Sequence, residues 1–331
     1  MSAQTTGPAD QKSSSMATVI WRDFGMVVVL VAIFAICSIS VDRFLSIPNM
    51  KALTLAVSMT GMVACTMMFC LASANFDMSC GAVVACSGVV AAQVINLAAP
   101  SLGGTLGLII GIVAALCVGL LIGFVNGVTI AYIKINALIT TLATMQIARG
   151  FGYIIGDGRA VGVSVEEFFY IGTQSWFGIP IPVYITVACF IVFGILVSKT
   201  AFGRNTLAIG GNEEAANLAG IRVSRHKLNL FLMHGLMSAF AGVVLASRMT
   251  SGQPTTSQGF ELDVISACVL GGISMAGGIG SIWFAISGVL IMGILQNSMN
   301  LMNIQTFYQY VARGAILLIA VIFDKYKQKY M

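Results

Sequence analysis

The side chains able to do chemistry are few in this chain, and they are scattered rather than assembled. His226 and His234 stand eight residues apart with no thiol or carboxylate close in sequence, a poor spacing for a metal. The eight cysteines, at 37, 65, 70, 80, 86, 117, 189 and 268, lie within or beside apolar runs, and no C-x-x-C occurs. They read as buried small hydrophobes, with neither disulfide nor metal site expected. Gly271-Gly272-Ile273-Ser274 and Gly277-Gly278-Ile279-Gly280-Ser281 lack the Gly-Lys-Ser/Thr ending of a phosphate-binding loop, which occurs nowhere in the chain. They read as a broken helix or tight turn with close backbone packing, and no cofactor is expected on this polypeptide.

What remains is hydrogen-bonding capacity set into apolar sequence. Gln296, Asn297, Asn300 and Asn303 form a cluster of amides, a chemistry that suits hydroxyl groups without needing charge and equally suits bonds between packed helices. Thr140, Thr141 and Gln146 carry the same two readings. Asp77, with Asn75 in the string SANFDMSCG, follows an apolar run directly. It reads either as a carboxylate lining a solute path or as an interfacial charge or helix N-cap. Arg313 lies eleven residues before Asp324, about 16 Å of helix rise. That is too deep to snorkel easily, so a partner within the protein is expected.

The elements that must position these residues are apolar. Of 331 residues, 58% are hydrophobic and 9% charged, with a mean hydropathy of +0.94. Too few charges exist to coat a soluble globule of this size, so the chain reads as a polytopic membrane protein embedded in lipid. The 36 glycines agree, since glycine lets membrane helices approach closely. The net charge of +5 is then a matter of topology rather than of nucleic-acid binding.

Ten apolar segments match a hydrocarbon core of about 30 Å: residues 24–41, 51–72, 81–99, 106–131, 135–148, 179–198, 228–247, 264–278, 282–300 and 305–323. Segment 135–148 is short and Thr-rich, and 264–278 is cut by glycines, so either reads as partial or broken. Residues 1–20 are polar, without an apolar core and cleavage site, and read as a disordered cytoplasmic tail ahead of a membrane domain over 21–331. Loop 199–227 holds Lys199, Arg204, Arg222, Arg225 and Lys227 against Glu213 and Glu214, and the C-terminus adds Lys325, Lys327 and Lys329. Loop 149–178 holds Asp157, Glu166 and Glu167 against Arg149 and Arg159. The positive-inside rule makes the first loop and both termini cytoplasmic and loop 149–178 external. A weak internal repeat relates 120–139 to 290–309 and sets Asn126 opposite Gln296. Five spans per half would invert the second half and place a solute path between the halves.

The longest polar insert is Thr200–Phe231, TAFGRNTLAIGGNEEAANLAGIRVSRHKLNLF. Gly210-Gly211-Asn212 makes a turn with Asn212 as N-cap, and Glu213 and Glu214 suit the positive end of the helix dipole. Gly220 suits a left-handed C-cap. The result is a two-turn helix with Ala215, Leu218 and Ala219 as a shallow apolar face, too short to be stable without a docking surface.

Glu214-Ala215-Ala216 with Gly220 four positions on resembles the E-A-A-x-x-x-G loop of ABC importer permeases. The surrounding FGRNTLAIGGNEEAANLAG resembles the ribose-type sugar permease family, and INALITTLATMQIARG, SRMTSGQP and AVIFDKYKQK extend the likeness over nearly the whole chain beyond residue 20. The family's usual glycine-rich segment around its aspartate is replaced here by Ala74, Asn75, Phe76 and Cys80 beside Asp77. What the resemblance implies is a permease in the bacterial inner membrane that works as a homodimer. It would dock a separate ATP-binding subunit through Glu213, Glu214, Ala215, Ala216, Leu218 and Gly220, and receive a small neutral sugar, L-arabinose by likeness, from a periplasmic sugar-binding protein. Candidate path residues are Asn75, Asp77, Asn126, Thr140, Thr141, Gln146, Asn297 and Asn300. The rival, a proton- or sodium-coupled secondary sugar transporter, calls for paired acidic residues within spans. An intramembrane enzyme calls for a catalytic pair such as Ser/His or two aspartates, and His234 shows no obvious partner.

Overall fold

A computed structural model describes residues 16–330, with side chains described from 25 to 326. Residues 1–15 of the polar tail therefore lie outside the described residues, while 16–20 belong to the first helix. Five long helices come first: α1 (Met16–Ser40), α2 (Ile47–Ala72), α3 (Cys80–Leu102), α4 (Gly104–Ala131) and α5 (Ala137–Ile155). The short α6 (Tyr170–Thr173), then α7 (Ile181–Lys199), α8 (Ala201–Gly211) and α9 (Glu213–Leu218) follow, and the chain ends with α10 (Val223–Met249), α11 (Phe260–Gly271), α12 (Ile282–Leu301) and α13 (Thr306–Tyr330). The fold is all-α. Its strands are pairs of two residues: β1 (Val161–Gly162) with β4 (Ser251–Gly252), and β2 (Ser175–Trp176) with β3 (Ile179–Pro180).

Nine of the ten apolar segments are helical over most of their length, and the tenth, 264–278, is helical only as far as Gly271. Among the described residues eight helices, α2, α3, α4, α5, α7, α10, α12 and α13, are long and apolar enough to cross a membrane. Helix α1 runs 25 residues from Met16 to Ser40, and the part whose side chains are described, Gly25–Ser40, is apolar. Helix α11 has 12 residues, about 18 Å of rise, because Gly272 at φ 110 turns the chain out of the helix. Segment 264–278 is thus a half-span. Segment 135–148 instead continues to Ile155 as a full helix of 19 residues. The cysteines also need one correction: Cys117 is exposed and Cys189 partly exposed, on helices whose outward faces are apolar.

Glycine sets the helix crossings. On α4, Gly119, Gly123 and Gly127 form a four-residue stripe facing α10. A Cβ on Gly119 would stand 2.2 Å from the Gly235 carbonyl oxygen, and one on Gly123 2.4 Å from that of Phe231. Helices α11 and α12 meet in the same way, with a Cβ on Gly288 placed 1.7 Å from the Ala267 carbonyl oxygen. Small residues let backbones touch where no hydrophobic effect drives helices together in lipid.

The element order repeats. Helices α2 to α5 and α10 to α13 each consist of a long helix, a non-helical stretch (73–79 or 250–259) and three further helices. The two series interlock: α2 packs on α11 and α12, and α10 packs on α3 and α4. They also run in opposite directions. The end of α2 meets α8 and the α11–α12 turn, where Gly278 N donates to Ala72 O at 2.9 Å. The end of α10 leads instead into β4, paired with β1 after α5. This order and these opposed directions are what the inverted repeat suggested by the weak echo of 120–139 in 290–309 calls for. Linkers 132–136, 200–222 and 272–281 share the end that carries α8 and α9. The opposite end is capped by residues 156–180, whose Phe168 is fully buried against Ala91 and Ile95.

Candidate functional site

The polar insert is two helices rather than one. Thr200 caps α8, its Oγ1 accepting from Gly203 N at 3.4 Å. Gly210 and Gly211, expected to form a turn, are the last helical residues of α8. Gly210 is required by proximity, since a Cβ there would stand 1.8 Å from the Ala72 carbonyl oxygen. Asn212 caps α9 as expected, accepting from Ala215 N at 2.9 Å. Helix α9 closes in a Schellman motif: Gly220 has φ +87, Ile221 N donates to Ala216 O at 3.1 Å, and Gly220 N to Asn217 O at 3.0 Å.

The faces of α9 divide sharply. Ala216 is buried against Ile209, Val223 and Ile221, which fastens α9 to α8 and α10. Ala215, Ala219 and Glu214 are exposed, and Leu218 is 84% exposed. Glu213 is exposed too, at 45% of its side chain, but it is engaged by two lysines of its own chain. Its carboxylate meets Lys227 Nζ at 2.6 Å through Oε2 and Lys134 Nζ at 3.4 Å through Oε1. Partial burial alone would raise its pKa, but the two ammonium groups outweigh this and hold it below the usual carboxylate range.

The second constellation lies inside the bundle. Asp77 is not at a membrane edge: it is 1% exposed, folded into the interior by the non-helical stretch after α2. Its Oδ1 accepts from Ser79 N at 2.8 Å and from Ser79 Oγ. Ser79 Oγ in turn accepts from Asn126 Nδ2 at 3.0 Å, and Asn126 Oδ1 accepts from Thr144 Oγ1 at 2.7 Å. On the other side His234 Nε2 lies 4.0 Å from Asp77 Oδ2, with His234 Nδ1 2.8 Å from Thr66 Oγ1. His234 thus does face a carboxylate, contributed from 157 residues away. Asn126, Thr144 and His234 sit roughly 8, 10 and 16 Å of helix rise from the helix ends nearest α8, within the hydrocarbon zone.

Other candidates land elsewhere. Asn75 bonds Ser73 through its amide and lines a cavity of about 570 Å³ below the 73–79 stretch. Thr141 bonds back to Ala137 O at 2.8 Å, Thr140 is buried with no partner on its hydroxyl, and Gln146 is exposed on the outer face of α5. Asn297 makes a reciprocal amide pair with Asn49 at 2.8 and 2.9 Å, joining α12 to α2, and Asn300 accepts from Gln309 at 3.0 Å. Arg313 has the expected partner: Nη1 meets Asp263 at 2.9 and 3.2 Å, and Gln296 bonds the same carboxylate. Sequence reasoning missed Ser79, Thr144 and Asp263, and named His234 without its partner. Only Thr144 had a signal, one helical turn beyond Thr140 and Thr141.

An interleaved bundle of apolar helices with a polar interior and a short, exposed helix at one end defines a polytopic membrane protein of the kind that carries solutes. The chain belongs to the family described as branched-chain amino acid transport system / permease component, whose model matches residues 49–321. It is 59% identical over 328 residues to the L-arabinose transport system permease protein AraH of Escherichia coli strain K12, covering 99% of this chain and 98% of that one. It is 46% identical to the L-arabinose ABC transporter permease protein AraH of Azospirillum brasilense over 99% of this chain and 96% of that one. It is also 39% identical to the ribose import permease protein RbsC of Bacillus subtilis strain 168, over 93% and 94%. No solved structure matches the chain.

Proposed function

We propose that this chain is the permease of an ATP-driven importer that passes a small neutral sugar, L-arabinose, into the cytoplasm of a bacterial cell. Two copies form the path in the inner membrane, a separate ATP-binding subunit docks on α9, and a periplasmic sugar-binding protein delivers cargo at the opposite end. Loop 199–227 and both termini face the cytoplasm, as the excess of lysine and arginine on that side favours. The chain itself catalyses nothing. The cargo assignment rests on likeness to the two L-arabinose permeases.

The observation that carries the mechanism is the division of α9: Ala216 anchors the helix to its own chain, while Leu218 and Ala215 present apolar surface outside the apolar zone. An exposed leucine on a six-residue helix implies a partner with a complementary groove. The path is proposed to run past the Asp77, Asn126 and Thr144 chain, whose hydroxyl and amide groups suit sugar hydroxyls.

Leu218→Asp tests the reading, because the side chain makes no core contact and the variant should insert and fold normally. Co-purification of the ATP-binding subunit and sugar uptake should both be lost. Wild-type levels of both would overturn the docking assignment. Uptake abolished by a protonophore at unchanged ATP would favour a proton-coupled carrier built on the buried Asp77–His234 pair.

A further inference from the structure

The two adjacent glutamates at the start of α9 do different things, and the difference has mechanical meaning. Both are exposed, but each oxygen of the Glu213 carboxylate holds a lysine from a different part of the bundle. Lys227 belongs to the start of α10, is 10% exposed at its side chain and sits at 2.6 Å. Lys134 belongs to the turn between α4 and α5, is 59% exposed and sits at 3.4 Å. The first contact is short and shielded. The second is long and wet, and it is the one that parts if α9 and α10 move together away from the α4–α5 turn.

Lys134 is also held in an uncommon conformation. Its φ is 67, in the left-handed region that disfavours a residue with a Cβ. That turn leads within three residues into α5, whose cap Asn136 accepts from Leu138 N at 2.9 Å. Glu213, Lys134 and Lys227 all line the cavity of about 570 Å³, whose other walls include Asn75 and Phe76 from the non-helical stretch, Leu138 from α5 and Leu317 from α13. The lysine turn, the short helix α9 and the polar stretch beside Asp77 therefore border one partly open cavity.

We propose that Lys134 is a positioning residue: its bond to Glu213 is a latch tying the first turn of α5 to the docking helix, released when the ATP-binding subunit displaces α9. Glu213–Lys227 keeps α9 and α10 moving as one body. Loss of the Lys134 contact frees the α4–α5 turn to relax and opens the cavity toward the end that carries α8. This rests on the permease reading above and adds to it the residue through which docking reaches the transport helices.

The test uses the permease with its ATP-binding subunit in proteoliposomes, supplied with binding protein and L-arabinose, comparing wild type with Lys134→Gln, Lys134→Glu and Lys134→Arg. Thermal midpoint, subunit binding, ATP hydrolysis and sugar moved per ATP are read together. Lys134→Gln should keep the midpoint, the bound subunit and hydrolysis, yet lower sugar moved per ATP by about fivefold or more. Lys134→Glu, facing Glu213 with like charge, should lower it further, and Lys134→Arg should restore it. A wild-type ratio in both Lys134→Gln and Lys134→Glu would overturn the latch, as would loss of the bound subunit in Lys134→Gln, which would make Lys134 a docking residue. Failure of wild-type permease to bind any ATP-binding subunit would instead overturn the permease reading itself.

Discussion

Replacing Arg313 with methionine should destabilise the protein, and the structure says by how much. The guanidinium bonds both oxygens of Asp263, at 2.9 and 3.2 Å, and lies 4.7 Å from the centre of the Tyr310 ring. Removing one partner of a buried pair costs about 3–5 kcal/mol, chiefly because the other charge is stranded. Both side chains keep some exposure, 21% and 19%, and Gln296 continues to bond the carboxylate. A loss of about 2–3 kcal/mol is therefore expected for Arg313→Met. Arg313→Met combined with Asp263→Asn leaves a neutral amide that Gln296 can still bond, so the double variant should recover most of the loss. The assay is the thermal midpoint of detergent-solubilised protein, followed by size exclusion. If Arg313→Met melted with wild type, or if the two changes simply added, the pair would have no energetic coupling and the reasoning would fail.

Two further outcomes follow from packing and topology. Gly288→Ala should sharply lower folded yield, since its Cβ would stand 1.7 Å from a backbone oxygen of α11, whereas Gly211→Ala, with open space around it, should melt like wild type; equal yields would mean that the α11–α12 crossing can separate. With the eight native cysteines removed, a cysteine at Gln174 should react with an impermeant thiol reagent in intact cells, and reaction only after lysis would reverse the assigned orientation.

The helices were legible because lipid leaves the backbone few options: a chain crossing it must satisfy its own hydrogen bonds. Apolar length therefore located α2 to α5, α7, α10, α12 and α13. Glycine marked both the break after α11 and the crossings, but could not say which was which. Gly210 read as a turn and proved to be a contact surface against Ala72. Asn212 and Gly220 were legible because capping is local, a matter of four or five consecutive residues. Partners across the bundle were not. Asp77 and His234 meet only because the stretch 73–79 leaves the helix and turns inward, and no local pattern encodes that turn. Arg313 showed its need for a partner through depth alone, while the identity of Asp263 depended on α11 being half-length.

The inverted halves solve one problem in two ways. Thr144 and Arg313 each stand seven residues beyond the first residue of their helix, Ala137 in α5 and Thr306 in α13, and Asn126 and Gln296 occupy α4 and α12 in the same order. Each set closes on a carboxylate beside the half's second helix, Asp77 or Asp263. In the second half a guanidinium neutralises the carboxylate, and such a contact resists separation because parting it strands two charges in lipid. In the first half the carboxylate is held by a hydroxyl, a backbone N–H and, through Ser79, an amide and a second hydroxyl, with His234 at 4.0 Å. Neutral donors can be exchanged for the hydroxyls of a solute at little electrostatic cost, whereas a guanidinium cannot. The asymmetry makes Asp263–Arg313 a structural tie between α11 and α13 and accords with the proposed solute path past Asp77.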